Sequence, residues 1–176
     1  MKIEVPSGKY VLAVSGGVDS MTLLDLLSNL SGVDFIIAHF NHGTREDSDL
    51  DEALVTAAAG RYGRLLEIGR GGLGPKASED TARRARYAFL EAIRQKHGAK
   101  KIITAHHQDD LIETALLNIL RGTGRRGLSA MADNPDVLRP LLNISKSEII
   151  SYVRRQKLAW REDSTNQDTD YLRNYI

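Results

Sequence analysis

Short apolar runs alternate with stretches of helical spacing along most of this chain. Tyr10–Val14 is a compact apolar run with valines at 11 and 14, which predicts a buried strand. From about Val18 to Leu30 apolar residues recur at the three- and four-residue intervals of a helix face. Asp34–Phe40 reads as a second buried strand. Glu46, Asp47, Asp49, Asp51 and Glu52 then precede Ala53-Leu54-Val55, and acidic residues suit the positive end of a helix, here one ending near Gly60. Arg64–Ile68 predicts a third strand, and Ser78 with Thr81 opens a long helix that stops at His97 before Gly98. Lys101–Ala105 predicts a fourth strand, followed by a helix from Asp109 to Arg121 stopped by Gly122. Val137-Leu138, ahead of Arg139-Pro140, receives no assignment. Ser145 to Lys157 predicts a final helix, with Ser145 and Glu148 at the spacing of a capping box.

Repeated strand–helix units imply an α/β fold, a parallel sheet with helices on both faces. Ligands of such sheets bind beyond the carboxyl ends of the strands. Three polar clusters, Ser15–Ser20, His39–His42 and His106–Asp110, sit at such ends, which predicts one shared site.

Composition narrows the choice. The 176 residues, 41% hydrophobic and 27% charged, suit one globular domain. No apolar run approaches the roughly 20 residues of a membrane span. The first ten residues lack a secretory apolar segment, so the expectation is a cytoplasmic protein without membrane contact. The absence of cysteine excludes disulfides, thiolate zinc sites and sulfur nucleophiles. A net charge of +1 gives no global attraction to nucleic acid, leaving local arginine clusters such as 83–86 and 125–126. Gly69–Pro75, with four glycines and a proline, is expected to be a mobile surface loop. Arg121–Gly127 has three glycines and three arginines, which suit either wrapping an anion or a solvated helix end.

Between the first strand and helix stands Ser15-Gly16-Gly17-Val18-Asp19-Ser20. Glycines let backbone approach a ligand closely, and the following helix start presents N–H groups and a positive dipole end to an anion. Neither GxxxxGK[ST] nor GxGxxG stands at this turn. The second constellation, Thr104–Thr114, leaves a strand and enters a helix. Asp110 and Glu113 share a helical face there, with His106 and Asp109 at the turn. Carboxylates and imidazole so grouped can hold magnesium or a substrate ammonium, or move a proton. Simple helix capping by Asp109 or Asp110 is the alternative.

SGGVDS resembles the pyrophosphate loop of the ATP pyrophosphatases, which cleave ATP between its α and β phosphates. Further segments make the resemblance more specific: AHFNHGTR (38–45), EDTARRARY (79–87), TAHHQDDLIETALLNILRGTG (104–124), GLSAM (127–131), LRPLL (138–142) and EDSTNQDTDYLRN (162–174). Together they resemble the N-terminal catalytic domain of the tRNA(Ile)-lysidine synthase family, in that family's order and over nearly the whole chain.

The resemblance implies a Rossmann-like pyrophosphate-loop domain over residues 1–176, the family's further C-terminal domains lying outside this chain. It implies a ligase that adenylates the wobble cytidine of tRNA(Ile) with a CAU anticodon and then joins free L-lysine to C2 of that base, releasing AMP and pyrophosphate. ATP and Mg2+ are the implied cofactors, and the oligomeric state stays open, a homodimer among the options. Ser15, Gly16, Gly17, Val18, Asp19 and Ser20 would bind ATP, with Ala38 and Phe40 beside the adenine and Asp19 at the metal. Asp110 and Glu113 would hold the lysine ammonium, and either His106 or one of those carboxylates would take its proton. Arg173 would steady the AMP phosphate as it departs, completing a catalytic set with Asp19, His106, Asp110 and Glu113. Arg83, Arg86, Arg121, Arg125 and Arg126 are the candidate RNA contacts. Other pyrophosphate-loop enzymes thiolate tRNA, a branch the lack of cysteine disfavours. A non-catalytic nucleotide-binding module would have no need of the second carboxylate cluster.

Overall fold

The computed structural model describes residues 1–43, 48–72, 74, 78–120, 122 and 134–161. Five strands, β1 (Gly8–Ala13), β2 (Val33–Asn41), β3 (Leu66–Arg70), β4 (Lys101–Ile103) and β5 (Val137–Leu138), alternate with helices α1 (Val18–Ser28), α2 (Ser48–Tyr62), α3 (Glu79–Lys96), α4 (Gln108–Leu120) and α5 (Lys146–Gln156). The strands form one sheet in the order β3-β2-β1-β4-β5, and every pairing is parallel. The chain therefore reverses its direction of travel across the sheet at β1 and β4, which opens a crevice at their carboxyl ends.

Alternation along the strands separates two cores. Leu12, Val14, Phe35 and Ile37 face α1, α2 and α5, while Val11, Ile36, Ala38 and Ile102 face Leu90 and Ile93 of α3. Helix α1 is buried along nearly its whole length, from Val18 to Leu27, because it lies between the sheet and α5. A helix enclosed on that scale is apolar around its circumference rather than along one stripe. By contrast α4 contributes no fully buried residue and leaves Ile112, Leu116, Ile119 and Leu120 exposed.

The caps expected from sequence are present. Ser78 accepts the Thr81 N–H, and Ser145 with Glu148 closes a reciprocal capping box. Helix α2 begins at Ser48 with Asp49 and Asp51 in its first turn, as the acidic run predicted. One expectation needs correction. Strand β3 is displaced to Leu66–Arg70, so Gly69 and Arg70 belong to the sheet rather than to a surface loop. Gly69 is required there by packing: a Cβ would lie 2.7–2.8 Å from the rings of Phe89 and Phe40. Val137-Leu138 is a strand whose two residues are too few for periodicity to reveal.

Candidate functional site

The loop after β1 is shaped by its own side chains. Gly16 has φ of 96°, a conformation that disfavours any residue with a Cβ. The Ser20 hydroxyl donates to the Gly17 carbonyl at 2.9 Å and accepts the Ser15 N–H at 3.2 Å. The Ser15 hydroxyl accepts the Gly17 N–H at 3.3 Å. Both serines thus hold the loop closed on itself. Gly17 caps α1 without a side chain, so the N–H groups of Val18, Asp19 and Ser20 in the first turn have no acceptor within the helix. An anion is the natural partner for such a terminus.

Beyond this loop lies a cavity of about 370 Å3, at the carboxyl ends of β1, β2 and β4. Its volume falls in the range of small-molecule sites. Ser15, Asp19 and Ser20 form one wall, Ala38 and Phe40 a second, and His106 and Asp110 a third. Gly16, Gly17 and Val18 stand in the loop beside the cavity but do not line it. The three clusters read from sequence are therefore brought to one site. Glu113, one turn along α4 from Asp110, is half-buried and not part of the lining. Arg86 and Tyr87 of α3 close the remaining side, which places Arg86 in the cavity wall. Arg83 lies outside the lining, its guanidinium 5.0 Å from the centre of the Tyr87 ring. Arg121, Arg125, Arg126 and Arg173 lie outside the described residues.

The two histidines of the β4–α4 turn differ. Burial pushes the His106 pKa down to about 4, helped by the positive charges of Arg139, Arg86 and Arg83 and opposed by Asp110. Its Nδ1 is 2.8 Å from the Thr104 hydroxyl. His106 is thus a neutral ring at neutral pH. His107 is buried among three carboxylates, with Nε2 3.6 Å from both Asp19 and Asp110 and Nδ1 3.6 Å from Asp109. Those separations exceed hydrogen-bond length. The backbone N–H of His107 donates to Asp110 at 2.9 Å, which makes Asp110 a cap as well as a cavity residue.

Three residues that sequence reasoning missed surround the loop. Lys146, at the start of α5, donates to both carboxylate oxygens of Asp19, at 2.6 and 2.8 Å. Arg161 donates its backbone N–H to the Gly16 carbonyl at 3.1 Å and its Nε to Asp51 at 2.8 Å. Asp51, read only as helix-start charge, lines the cavity. None of these contacts has a local signature, because each partner lies far away in sequence.

Among the described residues no group of three or more His, Asp or Glu side chains is arranged to hold a metal ion. Magnesium seldom needs one: it keeps several waters and takes one or two carboxylates together with substrate phosphates. Asp19, beside the open helix start, fits that donor set.

Residues 2–176 match the model of the PP-loop domain family. The chain belongs to that family. This PP-loop domain is 40% identical over 184 residues to the tRNA(Ile)-lysidine synthase of Geobacter sulfurreducens, spanning 97% of this chain and 39% of the relative. It is 41% identical over 177 residues to that of Thermus thermophilus, spanning 97% of this chain and 34% of the relative. For Chlorobaculum tepidum the figures are 37% identity, 99% and 56%. The chain thus covers well under two thirds of each of these relatives. Among solved structures, the U34-tRNA thiolase NcsA from Methanococcus maripaludis superposes with a TM-score of 0.73 at 16% identity, over 90% of this chain and 60% of that one. NMN synthetase from Francisella tularensis does so with a TM-score of 0.62 at 14% identity, over 87% and 63%. These two likenesses show a shared α/β fold, and the PP-loop assignment rests on the family match. No described helix is long and apolar enough to cross a membrane.

Proposed function

We propose that this domain catalyses the ATP-dependent ligation of L-lysine to C2 of the wobble cytidine in tRNA(Ile) with a CAU anticodon. The observation that carries this reading is a single cavity with a phosphate loop on one wall and His106 and Asp110 on another. Identity of about 40% to tRNA(Ile)-lysidine synthases over 97% of the chain supports it.

In the first step the cytidine O2 attacks the α-phosphorus of ATP, and the bond from that phosphorus to the β-phosphate oxygen breaks. The N–H groups of Val18–Ser20 and the α1 dipole stabilise the negative charge gathering on pyrophosphate. Asp19 would hold the magnesium ion, which would supply further charge neutralisation along the phosphates.

In the second step the lysine ε-amine forms the C2–N bond, and the C2–O2 bond breaks as AMP leaves. Asp110 and Glu113 hold the entering ammonium by charge-assisted hydrogen bonds. With its pKa near 4, His106 matches the ammonium no better than a carboxylate does as a proton acceptor. His106 therefore serves as a neutral hydrogen-bonding wall, and a carboxylate takes the proton. Arg86 supplies positive charge in the cavity wall for the AMP phosphate, and Arg83 lies outside the lining to meet RNA. Arg121, Arg125, Arg126 and Arg173 keep their proposed roles at RNA and at AMP.

The test is a reaction of the chain with ATP, Mg2+, radiolabelled lysine and the CAU-anticodon tRNA. Pyrophosphate release that depends on the RNA, followed by lysine incorporation and AMP release, is the expected result. Asp19→Ala should remove both steps. ATP cleavage that ignores the RNA, or that never leads to lysine incorporation, would leave the nucleotide site standing and refute the ligase.

A further inference from the structure

Lys146 reaches the phosphate loop through contacts that fix the start of α5. His107 bridges to Leu141, the Gln108 N–H donates to the Ile144 carbonyl at 3.0 Å, and the Lys146 N–H donates to Asp109 at 2.7 Å. The capping box of Ser145 and Glu148 then sets the direction of the first turn. The side chain leaves this rigid base and places its ammonium on both oxygens of Asp19, 127 residues away in sequence. The pair is only partly covered, with the Lys146 side chain 37% and the Asp19 side chain 28% exposed, so an incoming ligand can reach it.

A bare carboxylate at the mouth of a phosphate loop would repel a triphosphate. The ammonium cancels that charge. Asp19 would hold a divalent cation entering with the nucleotide, and the Lys146 ammonium, released from that carboxylate, would then donate to the adjacent phosphates. A lysine suits the exchange, because its charge is compact and its four-carbon stem lets it turn from one acceptor to another.

We propose that Lys146 is a phosphate-binding residue: it neutralises Asp19 before the nucleotide enters and then holds the β- and γ-phosphates through pyrophosphate departure. The ammonium keeps its proton throughout. As the bond between the α-phosphorus and the bridging oxygen breaks, the electron pair stays on that oxygen, and Lys146 donates a hydrogen bond to the developing pyrophosphate. The inference rests on the reading of the cavity as an ATP site.

Calorimetric titration of the chain with ATP, pyrophosphate and AMP, each with and without Mg2+, tests it. Lys146→Gln is expected to weaken ATP and pyrophosphate about ten- to hundredfold, the loss of one charged hydrogen bond, while AMP stays within about twofold. Lys146→Arg should recover most of that loss. Asp19→Asn should raise affinity for metal-free pyrophosphate, since the ammonium no longer has a competing anion. Unchanged pyrophosphate affinity in Lys146→Gln overturns the proposal. So does an equal loss for all three ligands with a lowered melting temperature, which assigns Lys146 to a purely structural clasp. A wild-type chain that binds none of the three overturns the ATP-site reading, and Lys146 with it.

Discussion

The hydroxyl of Tyr152 donates to Oδ2 of Asp25 at 2.6 Å, joining α5 to the buried helix that carries the phosphate loop. Tyr62 of α2 donates to the other oxygen at 2.7 Å, so one carboxylate ties three helices together. Loss of solvent, and then the hydrogen bond and charge of Asp25, push both phenols up, Tyr62 to about 12. Both therefore remain donors at any ordinary pH.

Tyr152→Phe should accordingly destabilise the fold by about 1–3 kcal/mol, the range for leaving a buried charged acceptor short of one partner. Asp25→Asn should cost a similar amount, because an amide cannot accept from both phenols. Chemical denaturation checks the magnitude. The double variant should lose less than the sum of the two single changes, since both act on one bond. Full additivity would show that the bond contributes nothing.

His106 sets an acid limb of stability. Its folded pKa is about 4 against an ordinary 6.5, so the unfolded chain binds more protons between those values. Stability is then fully present above about pH 6.5 and falls as pH drops towards 4, by up to about 3 kcal/mol. Glu91, held down at about 2 by Arg94, adds its own loss only below its usual value of 4.5. The two windows barely overlap. Denaturation midpoints measured from pH 7 to 4.5 should decline in the wild type and flatten in His106→Asn. A decline that persists in the variant would assign the limb to other groups.

Lysine recognition is expected to divide along α4. Asp110 lines the cavity and Glu113 lies a turn beyond it. Asp110→Asn keeps an acceptor for the His107 N–H while removing the charge. Each variant, Asp110→Asn and Glu113→Gln, should raise the lysine concentration for half-maximal rate by about ten- to hundredfold. The ATP requirement should move much less. Parallel rises in both requirements would place these carboxylates at the nucleotide instead.

The order of strands and helices was legible because a parallel sheet buried on both faces writes itself as continuous apolar runs, as at Val11-Leu12 and Phe35-Ile36-Ile37. Helix starts were legible where the capping side chain is local, as at Ser78 and Ser145. The glycine turn was legible for the same reason: backbone freedom at Gly16 is a property of one residue. Strand β5 and the true ends of β3 were not legible. Their limits are set by neighbours, β5 by pairing with β4 and Gly69 by the rings of Phe40 and Phe89.

Sequence alone determined that three polar clusters stand at strand ends and that SGGVDS opens a helix. Only the tertiary structure decided how their charges are partnered. The ammonium of Lys146 meets Asp19 across 127 residues, and Arg161 meets Asp51 across 110. His106 loses its proton because the fold surrounds it with Thr104, arginines and little water. Periodicity and caps are short-range and act within a few residues. Charge pairing and desolvation act through space, and the crossing at β1 and β4 chooses which distant residues share that space.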